Sequence, residues 1–86
     1  MKQTAINFTS RPKPDDLFKP GSQNHTLFTR LIQGPITNGE IIYGLRIANS
    51  TGRISDIRGK LRPYLMDIKS EPVPGQHGAW LYQLKG

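Results

Sequence analysis

The stretch ITNGEIIYGLRIANSTGRISDIR, residues 36–58, decides the fold. It opens on Thr37-Asn38-Gly39-Glu40, the spacing of a capping box: the Thr37 hydroxyl meets the Glu40 amide and the Glu40 carboxylate reaches back. A short second helix comes next, with Ile41, Ile42 and Leu45 as its buried face and Ile36 stapled onto Ile41. Gly44 costs about 1 kcal/mol inside a helix and marks either the helix end or a close helix–helix contact. Arg46-Ile47-Ala48-Asn49 forms a tight turn in which Ile47 plugs the space between two helices. A third helix runs from about Asn49 to Leu61, capped by Asn49 or Ser50. Ile54, Ile57 and Leu61 make one narrow apolar stripe along it. The opposite side shows Gly52, Ser55, Asp56 and Gly59. Arg53 and Lys60 flank that side on one edge and Arg58 and Arg62 on the other, and Pro63 stops the helix.

Working outward, a first helix starts at Ser22, just after the Pro20-Gly21 punctuation. Leu27, Phe28, Leu31 and Ile32 share one of its faces, and Gly34-Pro35 ends it. Residues 1–21, interrupted by Pro12, Pro14 and Pro20, read as an N-terminal arm, largely flexible, from which Phe8 or Leu17-Phe18 can dock on the folded domain of residues 22–86. Beyond the third helix the period changes. Residues 65–71 alternate in part, with Met66 and Ile68 on one face, and residues 79–85 place Trp80, Tyr82 and Leu84 at period 2. The intervening Pro/Gly loop, residues 72–78, makes the pair a projecting β-hairpin. Trp80, Tyr82 and Leu84 are expected to face the core and close over the first and third helices, in preference to forming a stacking platform for single-stranded nucleic acid.

Composition narrows the function. A chain of 86 residues holds one domain and too little interior for a multi-layer enzyme core. With no cysteine there is neither a disulfide framework nor a thiolate metal site, and His25 and His77 alone give zinc little support. Apolar runs of two or three residues exclude a transmembrane helix, and no signal-peptide core follows the start, so a soluble cytoplasmic protein is expected. There is no Gly-rich phosphate loop, nucleophile elbow or His-Glu metal motif. Asp15-Asp16 reads as a solvated pair, and neither enzymatic activity nor a cofactor is expected. The formal net charge is +6, and residues 46–62, with five cations and one acid, carry a net +4 of it. That concentration favours a polyanionic partner, although basic helices are also often solvated faces.

Helix, short helix, tight turn, helix and hairpin, in that order, make an α+β chain of winged helix-turn-helix type. Here the sequence resembles the small winged helix-turn-helix proteins of bacteriophages and prophages. Members of that group tend to show an I-T-x-x-E-I opening, an S/T-x-R-I-S-D-L-R recognition helix and a G-x-W-x-Y-x-L strand. These are matched in order by residues 36–41, by residues 51–58, and by Gly78-Ala79-Trp80-Leu81-Tyr82-Gln83-Leu84. The resemblance covers about residues 22–86 and departs after Arg58, where Gly59-Lys60-Leu61-Arg62-Pro63-Tyr64-Leu65 delays the first wing strand. It implies double-stranded DNA binding and a mobile-element origin, with a role in transcription regulation or as an accessory factor in recombination or excision.

In that setting Ser50, Thr51, Arg53, Ser55 and Asp56 are candidates for base edges in the major groove. Against this, Arg53 and Asp56 can simply pair at i, i+3, and Ser50 or Thr51 can simply cap. Arg58, Lys60 and Arg62 read as phosphate contacts. Lys69 on the wing strand, with Gln76 and His77 at the wing tip, are candidates for backbone or minor-groove contact. One such module buries modest area, so a homodimer or cooperative assembly on DNA is the expected route to affinity. No membrane and no small-molecule substrate are expected as partners. The rival reading is a winged-helix module that docks on a host or phage protein.

Overall fold

The computed structural model describes residues 12–86. In chain order the elements are α1 (Pro14–Leu17), α2 (Gln23–Gln33), β1 (Ile36–Thr37), a π-helical segment (Glu40–Gly44), α3 (Ser50–Leu61), a 3₁₀ turn (Arg62–Tyr64), β2 (Asp67–Pro72) and β3 (Trp80–Lys85). Helices and a three-stranded antiparallel sheet of order β1-β3-β2 share one core.

Helix α2 begins where its cap residue dictates: the His25 amide donates to Ser22 Oγ at 3.2 Å. Leu27, Phe28 and Leu31 are buried, whereas Ile32, expected on the same face, is 45% exposed at the edge of the stripe. The capping box also forms, since the Glu40 amide donates to Thr37 Oγ1 (3.2 Å) and the Thr37 amide donates to Glu40 Oε1 (3.0 Å). The helical segment after the box is wider than the expected α-helix. The Leu45 amide donates to the Glu40 carbonyl and the Ile47 amide to the Ile41 carbonyl. This widened turn takes both Ile41 and Ile47 into the core, so Ile47 is the expected plug, and it leaves Tyr43 83% exposed.

Helix α3 is capped by Asn49, whose Oδ1 accepts from the Gly52 amide at 3.1 Å. Its stripe of Ile54, Ile57 and Leu61 is buried, and α3 packs against α2 and β2. Pro63 ends the α-helix, but the chain makes a 3₁₀ turn before Leu65 takes a left-handed φ of 57° with its side chain exposed. The first hairpin strand therefore starts at Asp67 rather than Leu65. Met66 and Ile68 are buried, as their alternation requires.

The structure adds two features. Ile36-Thr37 pairs with Tyr82 and Leu81, giving the hairpin a third strand. And of the stretch expected as an arm, residues 12–21 include α1 and place Phe18 in the core, edge-on to Phe28 with ring centroids 5.8 Å apart. An aromatic pair of this kind adds about 0.5–1.5 kcal/mol beyond the area it buries. His25 Nε2 also meets Asp15 Oδ1. The packed body thus takes in residues 12–21, and the rest of the arm, with Phe8, lies outside the described residues.

Candidate nucleic-acid interface

Helix α3 turns its apolar stripe to the core, so its other side is the outward face. Thr51, Ser55, Asp56, Gly59 and Lys60 are exposed there, with Arg62 just beyond the helix end. Ser50 differs from the expectation of a base contact, because it is only 8% exposed at the start of the helix. Arg53 is half-buried and pairs with Asp56 at 3.5 Å, the i, i+3 alternative that their spacing allows. Its Nε is buried without a partner among the described residues.

Arg58 is used inside the fold. Its Nε and Nη2 donate to the Ile68 carbonyl at 3.1 and 2.7 Å, and Nη2 also reaches Ser70 Oγ at 3.3 Å. Asp67 lies 3.4 Å from Nε. The side chain expected to contact phosphate is thus a strut between α3 and β2, occupying a carbonyl of the outer strand. Lys60 and Arg62 have no such ties to the sheet among the described residues.

Gly52 and Gly59 have different reasons to be glycine. A Cβ at Gly52 would run into the Asn49 side-chain amide, with Cγ only 2.8 Å away, so Gly52 makes room for the cap. A Cβ at Gly59 would meet nothing within 4 Å. Nothing inside the fold calls for glycine at that exposed position.

The hairpin continues this surface. Lys69 pairs with Glu71 at 3.4 Å, which neutralises part of its charge locally. Gln76 and His77 are exposed at the tip, where Gly75 and Gly78 take φ of +77° and +78° and reverse the chain. Trp80 corrects an expectation: it is 43% exposed rather than in the core. It starts its strand opposite Pro72, at the loop end of the sheet, while Tyr82, two residues on along the same face, is buried. The space beside Trp80 is a groove of about 440 Å³. Ser50, Thr51 and Ser55 of α3 line one side, and Ser70, Trp80 and Tyr82 of the sheet line the other, with Asn38, Ile54 and Arg58 completing it.

Two residues in this region are not marked as contacts by the sequence pattern. Asn38 ties the second helical turn to the hairpin, its Nδ2 donating to the Gly78 carbonyl (3.2 Å) and its Oδ1 accepting from the Trp80 amide (3.1 Å). An asparagine inside a capping box is the available signal. Arg46, expected in the tight turn and in the basic cluster but not as a contact, is exposed before α3 with φ of 59°. Glycine takes that conformation without steric cost, whereas an arginine there strains the backbone.

Glu40 has its pKa held below the ordinary carboxylate value of 4.5, chiefly by the Thr37 amide. Partial desolvation pushes the other way, and the Thr37 hydroxyl and the Arg30 charge add to the lowering. Among the described residues no cluster of His, Asp or Glu can hold a metal ion, and no helix is long and apolar enough to cross a membrane. No family model, curated protein or solved structure matches the chain.

Proposed function

We propose that the chain is a double-stranded DNA-binding protein of winged helix-turn-helix type, in which α3 enters the major groove and the β2–β3 hairpin grips the flanking backbone. The observation that carries the reading is the division of α3. One side is anchored by Ile54, Ile57 and Leu61, and the other leaves Thr51, Ser55, Asp56 and Lys60 exposed within the most basic fifth of the chain. An exposed helix face of short donors and cations suits base edges and phosphates. The element order, the hairpin beyond α3 and the exposed Arg46 at the turn support the same reading. Its cellular role is that of a phage-encoded transcription regulator or an accessory factor in recombination or excision, and a homodimer or cooperative array supplies the affinity that one module lacks.

A second reading, docking on a protein, draws on Tyr43 and Leu65, apolar side chains 83% and 91% exposed. Selection of bound sequences from a random duplex pool separates the two. Enrichment of a motif, with a palindrome for a dimer or direct repeats for cooperative monomers, supports the DNA reading. Absence of both enrichment and duplex binding removes it.

A further inference from the structure

We infer that the groove between α3 and the hairpin seats one sugar–phosphate strand of the duplex, and that it does so mainly through neutral hydroxyl donors. The inference rests on the DNA reading and specifies a contact that the charge distribution alone does not suggest.

The lining is chemically one-sided. No carboxylate contributes to it, whereas Thr51, Ser55 and Ser70 bring hydroxyls from both sides. Ser70 Oγ already accepts from Arg58, so its own proton is directed elsewhere. A phosphodiester offers only acceptors, and a lining of O–H donors is complementary to that. Trp80 adds an apolar surface, 43% exposed, of the kind a deoxyribose ring packs against. Its backbone amide donates to Asn38 Oδ1, which fixes the start of the strand that carries the indole. The groove also runs beside Thr51 and Ser55, exposed in the first half of α3, where a strand whose bases face that helix has to pass.

The consequence concerns salt. A contact from lysine or arginine releases counterions and steepens the fall of affinity with ionic strength, whereas a neutral hydroxyl contributes affinity without steepening it. The groove therefore supplies the part of DNA affinity that persists as salt rises.

Trp80 is the one tryptophan of the chain, so it reports directly. The full chain is titrated with an unlabelled duplex of the selected sequence, and acrylamide quenching of Trp80 is measured free and at saturation. Thr51→Val and Ser70→Ala are titrated in parallel by anisotropy from 50 to about 300 mM salt. The expected result is at least a twofold drop in quenching on saturation. Each variant should weaken binding about fivefold, with the log–log salt slope unchanged. Duplex binding with unaltered Trp80 quenching, or variants that bind as the parent does, overturns the groove contact and leaves the DNA reading standing. A variant that changes the slope by about one overturns its hydroxyl character. Absence of duplex binding by the parent chain removes both.

Discussion

Arg58 offers the sharpest separation between a structural and a DNA-contacting cation. Its guanidinium makes two hydrogen bonds to the Ile68 carbonyl and one to Ser70 Oγ, with Asp67 alongside. A hydrogen bond from a charged donor contributes about 1.5–3 kcal/mol when well shielded. Here the Arg58 side chain is 37% exposed and Asp67 is 72% exposed, so solvent screens the ion pair to little value. Water can also reach the Ile68 carbonyl once the side chain is removed. Together these set the cost of Arg58→Ala at about 1–2 kcal/mol. For a domain of this size that is a fall in Tm of about 4–16 °C. Arg58→Lys should recover little, because a single ammonium cannot reproduce the forked contact on one carbonyl. Thermal denaturation by circular dichroism gives the stability, and anisotropy on duplex DNA gives the salt slope for the same protein below its transition. The strut role predicts lost stability with an unchanged slope. An unchanged Tm accompanied by a slope shallower by about 0.9 would refute it and return Arg58 to phosphate contact.

Other consequences can be checked alongside. Gly59→Ala should stabilise the chain by about 1 kcal/mol in chemical denaturation, since the site is open, and should weaken duplex binding if the DNA backbone comes close there. Gly52→Ala, measured the same way, should be near neutral, because the gain in helix propensity is offset by displacement of the Asn49 cap, each about 1 kcal/mol. Phe18→Ala should cost about 3–5 kcal/mol by opening a cavity against Phe28; a loss under about 1 kcal/mol would return residues 12–21 to a dispensable arm. The Glu40 pKa is lowered in the folded state, so its contribution to stability is fully present above about pH 4.5 and is lost as pH falls below that through the folded value. Glu40→Gln should flatten that part of the pH–stability profile, and an identical acid limb in the variant would contradict the capping-box assignment.

Local chemistry made much of this fold readable. Ser22, Thr37 with Glu40, and Asn49 each cap the backbone just beyond them, and caps act over three residues, within the reach of a sequence pattern. The stripe of Ile54, Ile57 and Leu61 and the plug at Ile47 are equally legible, because burial follows the helical period. The features that escape a sequence pattern are nonlocal. Ile36-Thr37 becomes a strand only because β3, more than forty residues later, passes beside it. A helical wheel puts Arg58 on the edge of α3 but contains no information about the Ile68 carbonyl across from it. Trp80 and Tyr82 share one face of a strand at period 2, yet Trp80 sits at the loop end, beside the open groove, so their burial differs. Phe18 is visible as a candidate for docking, whereas the depth of its burial depends on where Phe28 stands.

The DNA reading of α3 is tested most directly by the salt dependence of duplex binding for the parent chain and for Lys60→Ala combined with Arg62→Ala. Both side chains are exposed, and neither replacement removes a core residue. The account predicts binding of the parent, a Tm for the variant within a few degrees of the parent's, and a log–log slope shallower by about 1.8, at about 0.9 for each phosphate no longer neutralised. A parent chain that does not bind duplex DNA at about 50 mM salt, or a variant with the parent's affinity and slope, would contradict it.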